Sequence, residues 1–183
     1  STPLYSSAAS DVYKRQAVGI AINIILGIFV GGLKIPLLFM DTVGTVFTAV
    51  VLGPFWGACT GALTNVILGV LKDPREIPFL LVNLAVGLIV GFIAKKRKFD
   101  LKTAVVTGII LSIVAPLIGT PIAVFVYGGI TGDFNDVFFT ALKNSGQTIF
   151  SAAFLPRVAS NLVDKIITCS IVSLLYKRVK AML

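Results

Sequence analysis

The chain has 183 residues, 13% of them charged, a formal charge of +8 and a mean hydropathy of +0.97. Soluble domains carry about 25% charged residues, so this composition excludes one and leaves room for a membrane bundle of about six spans at about 20 residues each. The surplus charge is not a nucleic-acid footprint, because most of it sits in two runs, Lys95-Lys96-Arg97-Lys98 and Lys177-Arg178 with Lys180, placed to meet anionic lipid. Histidine is absent, which excludes a histidine-based zinc site or a Ser-His dyad. Cys59 and Cys169 are isolated inside apolar runs and read as small packing residues. No metal, cofactor or nucleic-acid partner is expected.

Ser1 to Gln16 is polar, lacks helical periodicity and stops abruptly at an apolar segment. Its SSAASDVYKRQ stretch resembles translated sequencing-adapter read-through, so residues 1–16 are read as a foreign or disordered segment. The natural chain is expected to begin at or before Ala17, and residues 17–183 are read as a single six-span membrane domain. Span 1 runs from about Ala17 to Leu33, followed by a turn-like Gly31–Pro36 segment. Span 2, about Thr42 to Leu52, is short and is broken by Gly53-Pro54. Span 3 covers about Phe55 to Leu71. A polar loop, Lys72–Pro78, leads into span 4, Phe79 to Ala94. Span 5 runs from about Thr103 to Tyr127, with Pro116 and Pro121 expected to kink it. Phe134–Leu142 reads as a short interfacial helix, and span 6 extends from about Gln147 to Tyr176. Spans 2 and 3 fall below the usual length and are expected to be tilted or partly re-entrant.

The basic clusters follow spans 4 and 6, so the positive-inside rule puts both termini in the cytoplasm. The expectation is an all-α integral membrane protein, a six-helix transmembrane bundle whose loops Gly31–Asp41, Lys72–Pro78 and Gly128–Gly146 face outward. Gly53, Gly57, Gly61, Asn65 and Gly69 recur every four residues on one face of span 3. Glycine lets helices approach closely in lipid, so this stripe reads as helix packing, with Asn65 hydrogen-bonding a neighbouring helix.

The order of these motifs carries a family likeness. Phe39-Met40-Asp41-x-x-Gly44-Thr45 is followed by Leu52-Gly53-Pro54-x-x-Gly57-x-x-x-Gly61-x-x-x-Asn65-x-x-x-Gly69, then Pro78-Phe79-x-x-x-Asn83-x-x-x-Gly87. From Ala17 onward the chain resembles the substrate-specific S components of energy-coupling factor (ECF) vitamin transporters. The resemblance implies a multi-pass protein of the bacterial cytoplasmic (inner) membrane, capturing a water-soluble vitamin or precursor. A transmembrane coupling subunit and two ATPase subunits would be its partners, with Ala17 and Ala21 packing on the coupling subunit. The first outward loop would act as a lid. The chain itself has no phosphate-binding loop and no carboxylate pair or nucleophile–base set, so it reads as a binding subunit and not an enzyme.

Polar residues inside or bordering the spans are the candidate ligand contacts. Arg157, Asn161 and Asp164 share a face of span 6, but Arg157 and Asp164 are about 10 Å apart along the axis, so each needs another partner. Arg157 is assigned toward ligand, against an internal packing network as the alternative. Asp164 is assigned to structure or to the coupling subunit. Asn83 and Gln147 suit a neutral heterocycle, since amides donate and accept without a full charge to desolvate. Asn144, Tyr127, Lys34 and Asp41 border the same side. A flavin or pyrimidine-like ring would fit the amides and Tyr127. Alternatives are a membrane sensory or regulatory ligand-binding module, a membrane-embedded enzyme and a small self-sufficient transporter. Against these stand the few residues after Tyr176, loop acids better read as solvated, and no visible inverted repeat.

Overall fold

The computed structural model describes residues 2–33 and 35–182, and its described residues are helical or irregular, with no strand among them. Seven α-helices follow in chain order: α1 Thr2–Leu33, α2 Val43–Leu52, α3 Pro54–Leu71, α4 Leu80–Lys96, α5 Leu101–Tyr127, α6 Asn135–Asn144 and α7 Ile149–Met182. A 3-10 helix, Pro74–Phe79, joins α3 to α4. Five helices are long and apolar enough to cross a membrane, drawn from α1, α3, α4, α5 and α7, and α2 is a shorter apolar helix. Span 3 is thus of ordinary spanning length, whereas span 2 is short as expected. Helix α1 extends back to Thr2, so residues 2–16 are helical, although the sequence there shows no helical periodicity. There Tyr13 packs edge-on against Trp56 at 5.8 Å. Helix α5 passes through Pro116 and Pro121 without a break in its assignment.

Helix α2 is the hub. It touches α1, α3, α4 and α7, while α5 packs chiefly on α7, and among the described residues α1 packs on α2 and α3. Close approach depends on glycines. A Cβ on Gly57 would meet Ala49 of α2, one on Gly87 would meet the Gly57–Ala58 backbone, and one on Gly91 would meet Pro54. Gly19 and Gly44 bring α1 onto α2 in the same way. Val46, Ala49, Val86, Val90, Leu111 and Val172 form the apolar centre of this packing.

Helix direction sorts the loops to two ends. One end gathers the Gly53-Pro54 turn, where Lys95 lies 3.4 Å from where a Gly53 Cβ would be, and the Phe99 carbonyl, which accepts from Ser173 Oγ at 3.0 Å. The basic runs belong to this end. Asp100 caps α5 there, accepting from Thr103 N at 2.8 Å. The opposite end carries the segment Ile35–Thr42, the 3-10 helix and the α5–α6–α7 connections. Tyr127 of α5 ties them together by donating to the Arg75 carbonyl at 3.2 Å and stacking on Phe79.

Candidate functional site

Helix α2 has 10 residues, about 15 Å of rise against a hydrocarbon thickness of about 30 Å. Since its C-terminus lies at the basic end, its N-terminus stops near mid-depth. Above that point the chain is Ile35–Thr42, an irregular strap with Leu37 at φ 64° and Met40 at φ 56°. Irregular backbone is tolerated at membrane depth only where protein groups satisfy it. Of two buried polar clusters at the α2 N-terminus, one caps the helix and the other satisfies the strap.

The first is built from amides and threonines. Thr42 precedes α2 but its side chain makes no capping bond, and Asn23 of α1 takes over that task from across the interface. Asn23 Oδ1 accepts from Gly44 N at 2.7 Å and Thr45 N at 3.3 Å, two of the first-turn donors that a helix leaves unpaired. A directed chain of donors then runs toward the loop-bearing end. Asn23 Nδ2 donates to Thr45 Oγ at 2.8 Å and to Thr64 Oγ at 3.0 Å. Thr45 Oγ donates to Asn83 Oδ1 at 3.0 Å, Asn83 Nδ2 to Asn65 Oδ1 at 2.8 Å, and Asn65 Nδ2 to the Glu76 carbonyl at 3.2 Å. Asn23, Thr45, Thr64, Asn65 and Asn83 are all buried.

The second cluster is ionic. Asp164 Oδ1 accepts from Phe39 N at 2.9 Å and Met40 N at 2.8 Å, and Oδ2 accepts from Lys165 Nζ at 2.7 Å. Lys165 Nζ also donates to Thr42 Oγ at 3.0 Å and lies 3.6 Å from Asp41 Oδ1. An unpartnered Asp or Lys at mid-bilayer costs about 2.5–3.5 kcal/mol on insertion scales; here each offsets the other and the strap's exposed peptide groups. Asp41 Oδ1 is buried without a hydrogen-bond partner, although 38% of the side chain remains exposed.

A third set ties down the loop-bearing end. Arg157 donates to the Ala153 carbonyl at 2.9 Å and to Thr131 Oγ at 2.9 Å, with the Gly129 carbonyl at 3.5 Å. Asp136 accepts from Thr131 N at 3.0 Å and Gly132 N at 2.6 Å. Asp73 pairs with Arg75 at 2.7 Å, and hydrogen bonds from the Arg75 side chain and backbone N–H hold the carboxyl below its ordinary range.

The candidates named from sequence are therefore spread over different surroundings. Asn83 and Asn65 meet in the amide cluster. Asp41 lies in the ionic cluster, Arg157 clamps the Gly129–Thr131 loop, and Tyr127 covers Phe79. Asn144 ends α6, and both it and Gln147 are exposed. Arg157 and Asp164 have separate partners. Lys34 lies outside the described residues. Ala17 and Ala21 are exposed on α1, beside Val18, Ile25 and Phe29. Of the stripe in α3, Gly57, Gly61 and Gly69 face Ala49, Asn83 and Ile77, and Gly53 is the left-handed residue that ends α2 at φ 97°. A cleft of about 220 Å³ lined by Leu52, Gly53, Gly91 and Lys95 opens at the basic end, away from the belt of polar residues.

Sequence reasoning missed Asn23, Thr45, Thr64 and Lys165. Asn23 had a signal, being the one amide between Ala17 and Leu33. Lys165 was passed over because its neighbour Asp164 already filled the polar face of span 6.

Five helices of membrane-spanning length thus enclose buried charged and amide clusters, with the connecting loops of one end gathered beside them. The model of one protein family, described as ECF transporter, substrate-specific component, matches residues 15–176. The chain belongs to that family. No curated protein and no solved structure matches it. As an ECF substrate-specific component it is a multi-pass transporter subunit and not an enzyme, a role that implies a small-molecule substrate and a coupling and ATPase module.

Proposed function

We propose that this S component is the high-affinity membrane subunit that captures a water-soluble vitamin or precursor from outside a bacterial cytoplasmic membrane. It then passes the molecule inward with a transmembrane coupling subunit and two ATPase subunits. In this reading the chain crosses the bilayer six times, α2 with its strap making one crossing, and both termini are cytoplasmic. The single observation that carries it is the half-length of α2. A helix that stops at mid-depth leaves the upper half of its path to the strap and to side chains from α1, α3, α4 and α7, on the side opposite the basic runs. Positive-inside sorting turns that side outward.

The ligand would lie between the strap and the outer ring, reached past Asp41, Tyr127, Asn144 and Gln147. A neutral ring with donors and acceptors, flavin-like or pyrimidine-like, suits amides and an aromatic face. Asn83 and Arg157 would act by shaping that space or by exchanging a present partner for ligand. The exposed stripe Ala17, Ala21 and Ile25 on α1, a helix that among the described residues packs on α2 and α3, is the surface offered to the coupling subunit.

The test is affinity purification from a host that also makes the coupling and ATPase subunits, with mass spectrometry of the eluate. Co-purification of those subunits with a retained vitamin-sized molecule is expected. Reaction of Lys95–Lys98 with an impermeant amine reagent applied to intact cells would overturn the sidedness. Recovery of neither subunits nor small molecule would overturn the uptake role.

A further inference from the structure

The strap Ile35–Thr42 is held in a conformation that its own sequence does not favour. Leu37 and Met40 lie at φ 64° and 56°, the left-handed region in which a side chain crowds the following carbonyl. Neither residue is glycine, asparagine or aspartate, so tertiary contacts must impose the geometry. Met40 packs on the apolar core and Thr42 accepts from Lys165 Nζ, but the N–H groups in the middle of the strap go to one place. One carboxylate oxygen, Asp164 Oδ1, accepts from the N–H groups of both Phe39 and Met40. Thr168, one turn further along α7, donates to Met40 Sδ at 3.8 Å. Below, α2 is fixed independently by Asn23. Above, Gly31 and Gly32 are exposed, and a Cβ on either would meet nothing within 4 Å. The strap thus follows two exposed glycines and leads into a firmly held helix, and the N–H groups of its middle both go to one carboxylate.

We propose that Asp164 is a positioning residue for ligand capture: a latch that holds the strained strap shut over the bundle interior. Release of its two hydrogen bonds lets Leu37 and Met40 relax and uncovers the face of α7 around Thr168. Lys165 donates to Asp164 Oδ2 and leaves Oδ1 aimed at the strap, and Thr42 and Asp41 hold Lys165 in turn. The inference rests on the reading of this side as the ligand's entrance, but the latch itself is measurable with no ligand present.

The full-length chain, with Cys59 and Cys169 changed to alanine, receives one reporter, Thr168→Cys, beneath the strap. It is placed in lipid nanodiscs and treated with a small water-soluble methanethiosulfonate. The labelling rate follows the open population. Asp164→Ala removes both strap hydrogen bonds to a charged acceptor and is expected to raise the rate about tenfold or more. Asp164→Asn, which keeps one acceptor oxygen, is expected to fall between. Leu37→Gly relieves the left-handed residue in the closed state and is expected to slow labelling about threefold. A control reporter, Ser173→Cys, buried at the basic end beside the Phe99 carbonyl, should keep its rate in every variant that is folded. Opposite shifts from Asp164→Ala and Leu37→Gly are what general loosening of the bundle cannot produce. Should Asp164→Ala not fold, Leu37→Gly decides alone. A rate within about twofold of the parent in Asp164→Ala, or faster labelling in Leu37→Gly, overturns the latch. Either result leaves the co-purification test of the uptake role untouched.

Discussion

Replacing Asn23 by leucine tests whether the amide cluster holds α2 in place. The side chains are close in shape, so packing changes little, while every hydrogen bond of the amide disappears. Thr64 Oγ still donates to the Thr60 carbonyl and Thr45 Oγ still donates to Asn83, so neither hydroxyl loses its acceptor. The N–H groups of Gly44 and Thr45 do lose theirs, and both residues are buried beside a fully buried Asn23, out of reach of water. An unsatisfied buried donor costs about 1–3 kcal/mol. The Thr45 bond is the longer, at 3.3 Å, so the sum is set at about 2–4 kcal/mol. For a domain of this size that corresponds to a fall in melting temperature of roughly 4–16 °C. Thermal unfolding in detergent micelles, followed by circular dichroism, measures it. A variant within about 0.5 kcal/mol of wild type, the range of a neutral surface change, would refute the claim that α1 caps α2.

Two other perturbations probe separate parts of the fold. Gly87→Ala sets a Cβ against the backbone of Gly57 and Ala58, atoms that cannot swing aside, and is expected to lose about 1–3 kcal/mol, whereas Gly31→Ala, with open space around it, should be neutral or slightly stabilising in the same melting assay. At the basic end, the Thr103 N–H holds the Asp100 carboxyl below its ordinary range. Because the folded value is the lower one, the cap stabilises α5 fully above the usual carboxylate range and is lost as acid drives the pH down through the folded value. Protection of the Thr103 amide, its observed exchange rate relative to the intrinsic rate at each pH, should therefore fall on acidification in the wild type. Asp100→Asn, which caps without titrating, should not show this.

Helix positions were legible because each boundary has a local cause. Gly53-Pro54 ends α2 and starts α3, and Asp100 starts α5. Lys95 and Lys96 mark the end of α4. Each lies within a few residues of the boundary it sets. The helix over residues 2–16 was not legible from hydrophobic periodicity, but Ala8, Ala9 and a spacing free of glycine and proline after Pro3 allow helix to continue. The polar belt was only half legible. Asn65 and Asn83 announced themselves by standing alone in apolar runs, but that they bond each other depends on how α3 crosses α4, which no local pattern states. Arg157 was read by residue type as a ligand contact. That its guanidinium meets the Gly129 carbonyl and Thr131 follows from a loop fold 26 residues and more away in sequence.

The short α2 and the charged middle of α7 are best understood as one feature. Were α2 to continue as helix through Phe39 and Met40, its own carbonyls would take those N–H groups, and Asp164 would face apolar side chains with only Lys165 for company. Were Asp164 and Lys165 leucines, the strap's peptide groups would be stranded at mid-depth, at about 1–3 kcal/mol for each lost acceptor. Neither half is tolerable alone, yet together they close. That coupling explains why an adjacent Asp and Lys persist in the centre of an apolar helix, where such a pair by itself contributes little that well-packed leucines would not.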